Sequence, residues 1–350
     1  MAENLTLARP YADAAFSLAQ AGNALGPWSE ALDRMAAVVG DVQMQDCIGN
    51  PRLTPSQLVS FFVDVVGNLT SEQKNFVQVL VDNLESKPDG VTIDPRRRHL
   101  FYTFMGTTRT GDGDFWENEG YIERANYDGS RRKVIVPLGS FVTGKQIVFE
   151  AGADRLYWCD REGMRVMSCR TDGSDLYTHV QTGVGEERRD ERRHCVGVAV
   201  DAKAGHIYWT LKGTPNGNVG RIMRMPLART PGLDPLRRAD VETVFDGLPE
   251  PIDLEWDEAN QTLYWTDRGD PPRGNTLNRA RMRDGKPVDH EILLHDFHEA
   301  IGLALDLPNR RAFVSELAGR VYMADLDHPG KGKIIFHGRG RLTGLAYLRA

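Results

Sequence analysis

The chain has 350 residues, 41% of them hydrophobic and 26% charged, with a formal net charge of −6. That length exceeds one ordinary core and predicts about two globular domains, while the acidic balance excludes a general nucleic-acid binder. There is no signal peptide and no apolar run long enough to cross a bilayer, which predicts a cytoplasmic protein.

The charge is unevenly placed. Residues 1–85 hold four basic and ten acidic residues, and so carry the whole excess, whereas 30 of the 35 glycines lie beyond residue 85. Two differently composed pieces meet there. Cys47, Cys159, Cys169 and Cys195 show no CxxC and no metal-ligand spacing, which predicts free thiols.

The first piece reads as helices. Leu5, Ala8, Tyr11, Ala12, Ala15, Phe16 and Ala19 recur at helical spacing. After the Gly22–Pro27 break, Trp28, Leu32, Met35, Ala36 and Val39 resume it. Asn50-Pro51 marks a turn, and Thr54-Pro55 offers a cap with proline at the first helical position. Leu58, Phe61, Phe62, Val65 and Val66 form the next stripe, and a last helix starting at Thr70 or Ser71 carries Phe76, Val77, Leu80 and Val81. Four or five short helices predict a small bundle. It has no histidine and no phosphate loop, so its acids are a solvated surface or a docking face for a partner helix.

The runs LARPYADAAFSLAQAGN (7–23), GNPRLTPSQLVSFFVDVV (49–66) and KNFVQVLVDN (74–83) resemble the N-terminal domain of the bacterial F-type ATP synthase delta subunit. The resemblance implies a six-helix bundle that holds the N-terminal helix of an F1 alpha subunit, followed by a domain bound to the peripheral stalk. After Asn83 the sixth helix and that following domain are missing. The implied partner is the alpha subunit, with peripheral association to the membrane-bound synthase.

Beyond residue 86 the pattern is β-rich and repeats. Five segments share a frame in which an apolar strand ends in an acid and an aromatic follows seven residues later: Asp94 and Phe101, Glu150 and Tyr157, Asp201 and Tyr208, Asp257 and Tyr264, Asp306 and Phe313. The aromatics are 56, 51, 56 and 49 residues apart. Four strands per repeat of about 50 residues is one propeller blade, which buries its faces only by stacking on neighbours.

The second strands LYWCD (156–160), IYWTL (207–211) and LYWTD (263–267), with weaker LFYTF (100–104) and AFVSE (312–316), resemble the YWTD β-propeller of low-density lipoprotein receptor class B repeats. That resemblance implies a six-bladed-type ring with a structural motif. Its aromatics (Tyr157, Trp158, Tyr208, Trp209, Tyr264, Trp265) pack between blades, and its acids (Asp160, Asp267) satisfy backbone groups. A carbohydrate-stacking platform is the alternative use of those rings. After the fifth repeat, RLTGLAYLRA (341–350) matches only the innermost strand of a sixth blade, which predicts five complete blades and an orphan strand. The expected domains are a helical bundle over 1–84, a junction over 85–90 and a propeller over 91–350.

Ligand sites of propellers sit at the channel mouth, where innermost strands begin. Four and five positions before the shared acid, the exceptions to glycine and aliphatics are Asp89, Lys145, Gln146 and Asp253, with Glu250 and Glu255 near the last. Carboxylates with a lysine and an amide suit a cation or a polar ligand, as in metal-dependent propeller lactonases; capping of backbone groups at blade junctions is the plainer role. The GEERRDERRH run (185–194) reads as a solvated loop, the RGD in 268–270 as chance, and His290, His295 and His298 lack metal-ligand spacing. The expectation is a non-catalytic interaction protein without a cofactor, a chimera of the two families joined inside a structural unit of each. A lactonase-type hydrolase is the alternative.

Overall fold

The computed structural model describes residues 12, 14–48, 55–84, 88–106, 117–338 and 341–348. Leu5, Ala8, Tyr11, the Asn50-Pro51 turn and the Thr54 cap lie outside them. The chain divides into a helical unit and a strand unit, with the division between Ser86 and Lys87.

In the helical unit a segment over 14–21, here α1, is followed by α2 (Leu25–Val39), α3 (Val42–Ile48), α4 (Pro55–Val66) and α5 (Ser71–Leu84). Asp41 starts α3 by accepting the Gln43 and Met44 amides. At α5 the caps are reciprocal. Thr70 Oγ1 accepts from the Gln73 amide, while Gln73 Oε1 accepts from the Thr70 amide at 3.0 Å. Ala31, Met35, Leu58, Phe62, Val77 and Val81 make the core, and Phe76 meets Trp28 edge to face at 5.7 Å between centroids. Leu25, Leu32 and Val39, seven apart on α2, stay exposed, as do Phe61 and Val65 on α4. No helix among the described residues is long and apolar enough to cross a membrane.

The strand unit is a propeller of five blades, each a four-stranded antiparallel meander. Blade 1 holds β1 (Pro88–Asp94), β2 (His99–Phe104), β3 (Gly120–Asn126) and β4 (Lys133–Phe141). Blade 2 holds β5 (Gly144–Glu150), β6 (Arg155–Asp160), β7 (Arg165–Arg170) and β8 (Tyr177–Gln181). Blade 3 holds β9 (Cys195–Asp201), β10 (His206–Leu211), β11 (Gly220–Pro226) and β12 (Glu242–Leu248). Blade 4 holds β13 (Pro251–Asp257), β14 (Thr262–Asp267), β15 (Thr276–Arg283) and β16 (Lys286–Leu294). Blade 5 holds β17 (Ala300–Asp306), β18 (Arg311–Glu316), β19 (Arg320–Asp325) and β20 (Gly332–His337). Since β1 begins at Pro88, part of the expected 85–90 junction is strand.

The seven-residue spacing has a local cause. The frame acid holds the turn between first and second strands. Asp94 accepts from the Arg96 amide (2.9 Å), Glu150 from Gly152 (2.7 Å), Asp201 from Ala204 (2.9 Å) and Asp257 from Asn260 (3.1 Å). The aromatic then always pairs with the residue two before the acid: Thr92 with Phe101, Val148 with Tyr157, Ala199 with Tyr208, Glu255 with Tyr264, Ala304 with Phe313.

Adjacent blades are tied by a repeated hydroxyl on the second strand. It accepts an amide of its own first strand and donates to a carbonyl of the next blade's first strand. Thr103 bonds the Gly90 amide (2.9 Å) and the Lys145 carbonyl (2.6 Å). Thr210 bonds Gly197 (2.7 Å) and Ile252 (2.9 Å), and Thr266 bonds Asp253 (3.1 Å) and Ile301 (2.6 Å). Cys159 stands in that register in blade 2, its thiol 3.3 Å from the Gly197 carbonyl.

In blade 5 the hydroxyl is Ser315, which accepts from Gly302 (3.0 Å) and donates to the Thr343 carbonyl (2.7 Å). Residues 341–348 therefore run beside β17. They also run beside β1, because Thr343 Oγ1 donates to the Asp89 carbonyl at 2.9 Å. A side chain on Gly302 would strike Thr343, and one on Gly344 would strike the Asp89 backbone. The sequence predicts a strand here, but no strand is formed, because a strand needs a ladder partner and none flanks this segment among the described residues.

Candidate functional site at the channel mouth

The motif rings are wholly internal. Tyr157, Trp158, Tyr208, Trp209, Tyr264 and Trp265 are each at most 3% exposed. The indole N–H groups of Trp158, Trp209 and Trp265 have no hydrogen-bond acceptor; Phe141 lies 5.5 Å from Trp158 and Phe245 4.9 Å from Trp265 between ring centroids. Asp160 accepts the Val142, Thr143 and Gly163 amides and pairs with Arg165 at 2.6 Å. Asp267 accepts the Glu250 and Gly269 amides, and burial pushes its carboxyl up to about 7. Glu316 does the same work in blade 5 for the His298 amide.

At the mouth, the positions five before each frame acid form a ring around the axis. Val196, Ile252 and Ile301 cluster as its apolar side. The polar side is Asp89 and Lys145, 3.4 Å apart and both buried, with Thr343 completing the circuit. Burial pulls the Lys145 ammonium down to about 8, against the attraction of Asp89.

Outside that ring runs a belt of charge pairs from blade 2 to blade 5. Arg161 meets Glu162 at 2.5 Å, and although burial opposes its charge, the guanidinium holds the Glu162 carboxyl down at about 2. Lys212 lies between Glu191 (3.1 Å) and Glu250 (3.2 Å). Glu250 continues to Arg268 at 2.5 Å, and Arg268 reaches Glu299 at 3.8 Å. Arg161, Lys212 and Arg268 all occupy the position after the fourth motif residue of blades 2, 3 and 4. That shared register was the available signal for them, visible in the sequence once the repeats are aligned. Glu191 comes from the GEERRDERRH run, so that loop is not solvated throughout.

Asp253 and Glu255 stand on the face of β13 turned toward β17. Asp253 accepts the Leu254 amide at 2.9 Å and the Leu303 amide at 2.8 Å, and burial lifts its carboxyl to about 7 despite those bonds. Glu255 is part-buried, and burial together with Asp253 lifts it to about 8. Gln146 is buried with its amide nitrogen unpartnered. The structure thus places Asp89, Lys145, Gln146, Asp253 and Glu255 near the starts of inner strands and joins Asp89 to Lys145. It does not gather them into one cage: no group of three or more metal-ligating side chains stands together among the described residues. His290 stacks on Trp265 at 5.0 Å and bonds Asn278, and so serves packing.

Comparison with known proteins divides the chain in the same way. Residues 7–86 match the family model of the ATP synthase delta (OSCP) subunit. The chain is 62% identical over 84 residues to ATP synthase subunit delta of Aromatoleum aromaticum, covering 24% of this chain and 47% of that subunit. It is 44% identical over 282 residues to low-density lipoprotein receptor-related protein 1 of Pyricularia oryzae, covering 77% of this chain and 88% of that protein. A 3-hydroxyacyl-CoA dehydrogenase-like protein of Cochliobolus heterostrophus is 37% identical over 271 residues, 74% of this chain but only 56% of that protein. Among solved structures, a nidogen/laminin complex superposes with a TM-score of 0.55 at 17% identity, over 74% of this chain and 84% of that one. A gluconolactonase of Xanthomonas campestris gives 0.51 at 17% identity, over 74% and 78%. At such identities these two show the fold alone.

Proposed function

The chain belongs to the family of low-density lipoprotein receptor-related propeller proteins, and from that premise we propose that it is a non-catalytic interaction protein whose helical unit adds a second binding surface. The observation that carries this is the channel mouth. Most of its charges are paired with one another in a belt and the motif rings are spent on blade packing, and no group of three metal-ligating side chains stands together among the described residues. We assign 1–84 to a delta-type helical domain that binds the N-terminal helix of an F1 alpha subunit, and the chain from β1 (Pro88–Asp94) onward to the propeller. The exposed stripe Leu25, Leu32, Val39 supports a helix-docking role for the first part.

The ring is of the six-bladed type, with 341–348 in the innermost position of a sixth blade whose other strands are not among the described residues. The repeated hydroxyl bond from blade to blade, carried on to Thr343, supports this. The chain is a chimera, a reading supported by a bacterial delta match and a fungal propeller match that share little of its length. Its location is cytoplasmic, at the membrane only through a synthase. The test is co-sedimentation of the full chain with bacterial F1 stripped of its own delta subunit. Stoichiometric binding supports the proposal, and a chain left in the supernatant refutes the alpha-subunit partner.

The alternative, a metal-dependent hydrolase of the lactonase type, needs at least three converging donors. Asp253 and Glu255 are neighbours with raised carboxyl affinities for protons, but the donor set does not fit a metal. Metal analysis of the purified chain decides the matter, since stoichiometric calcium or zinc lost on Asp253→Asn would favour the hydrolase.

A further inference from the structure

Segment 341–348 has β1 on one side and β17 on the other, yet no strand pairs with its outer edge among the described residues. The sheet faces on either side carry apolar side chains interspersed with charged ones, Glu123 standing between Tyr102 and Val134 and Lys333 beside Met323. In blade 1, Phe101 packs toward blade 2, so Leu100 and Tyr102, its neighbours on β2, with Val134 beyond them, turn the other way; Val134 is 45% exposed. In blade 5, Val314 packs toward blade 4, so Phe313 and Met323 turn the other way, and on β20 Phe336 is 53% exposed. Of these, Phe313 already has an inner cover, Tyr347 stacked at 5.4 Å.

The hydrogen-bond register says what suits this slot. In blades 1, 3 and 5 a second-strand hydroxyl accepts the amide of Gly90, Gly197 or Gly302 and donates to the next carbonyl. Gly344 stands at the same position, and its amide has no such acceptor among the described residues. The carbonyl that the missing hydroxyl would reach is that of Asp89, which Thr343 Oγ1 now contacts. A carbonyl oxygen accepts two bonds, so the position stays open.

We propose that the slot between blades 5 and 1 takes an extended segment from another polypeptide, added as a strand along 341–348. The segment carries a Ser or Thr opposite Gly344, with aromatic or aliphatic residues alternating on either side of it. Its hydroxyl bridges the Gly344 amide to the Asp89 carbonyl, and its alternate side chains cover Phe313 and Met323 on one face and Leu100 and Tyr102 on the other. Strand addition supplies main-chain bonds for affinity and alternate pockets for selectivity. This rests on the six-bladed reading of 341–348 and leaves the alpha-subunit proposal untouched.

The chain's own best second strand defines the probe: a synthetic peptide of residues 261–268, Gln-Thr-Leu-Tyr-Trp-Thr-Asp-Arg. Fluorescence anisotropy with the full chain is expected to give a dissociation constant in the micromolar range. The Thr266→Val peptide should bind about tenfold more weakly, since two buried hydrogen bonds are lost. Hydrogen exchange reads the two ideas apart. Fast exchange at 342–348 in the free chain supports the incomplete blade, and slowing by the peptide supports its docking there. Equal binding of the Thr and Val peptides, or no binding, overturns the proposal. So does a self-associated chain whose 342–348 amides exchange slowly without peptide, because a second copy would then fill the slot.

Discussion

Thr343 donates its hydroxyl to the carbonyl of Asp89 at 2.9 Å, joining residues 254 positions apart. The bond stands where the ring would otherwise be open, between the last and first blades. Its loss in Thr343→Val should cost about 1 kcal/mol, and because the group is near the surface the variant should still fold. Urea unfolding followed by tryptophan fluorescence reads this directly, since five of the six tryptophans lie beyond residue 85. An unchanged midpoint would show that closure does not depend on this contact.

The bridge inside the ring should matter more. Thr266 is fully buried and bonds two different blades, so Thr266→Val leaves a buried amide and a carbonyl unsatisfied. The expected loss is about 2 kcal/mol, larger than for Thr343→Val in the same urea experiment. The reverse order would contradict the hydroxyl ladder.

Glu250 sits between Lys212 and Arg268 with a side chain only 3% exposed. Removing its charge by Glu250→Gln leaves Lys212 with Glu191 alone and Arg268 with the half-exposed Glu299 alone, and should cost about 1–3 kcal/mol. Glu299 meets Arg268 at 3.8 Å with half its side chain in solvent, so Glu299→Gln should stay within about 0.5 kcal/mol. Thermal melts of the pair of variants separate a structural belt from surface decoration.

The pH response follows from Asp253 and Glu255. Their carboxyls lie at about 7 and about 8 in the fold, above unfolded values of about 4. The folded chain therefore binds more protons than the unfolded one across that interval. The stability they contribute is full below about pH 4 and is lost as pH rises through 7 and 8. Glu255→Gln should match the parent below about pH 4 and melt higher than it by a margin that widens up to about pH 8.5. A parallel decline in both proteins would contradict burial as the cause.

The proposed chimeric origin predicts a complete delta-subunit gene elsewhere in the source genome. Long reads across codons 80–92 decide between a continuous gene and an assembled one.

Much of the fold was legible because its causes are local. The acid and the aromatic seven residues later sit on opposite sides of one turn, and the helices show their faces within four residues. The second-strand hydroxyl was also in view, but its role was not, because its acceptor belongs to another blade; Thr210 and Ile252 are 42 positions apart. The same holds for the belt, where Lys212 and Glu250 are 38 positions apart. Register alignment did bring Asp89 and Lys145 together. It placed Asp253 at the mouth too, where its carboxylate accepts two backbone amides, the plainer of the two roles expected there.

The proposed alpha-subunit affinity of the helical unit can be read on the full chain. Calorimetric titration of the full chain with a synthetic N-terminal segment of a bacterial F1 alpha subunit tests it most directly. Saturable one-to-one binding that a scrambled segment does not reproduce is the expected result. The absence of heat at concentrations that saturate an intact delta subunit would contradict it.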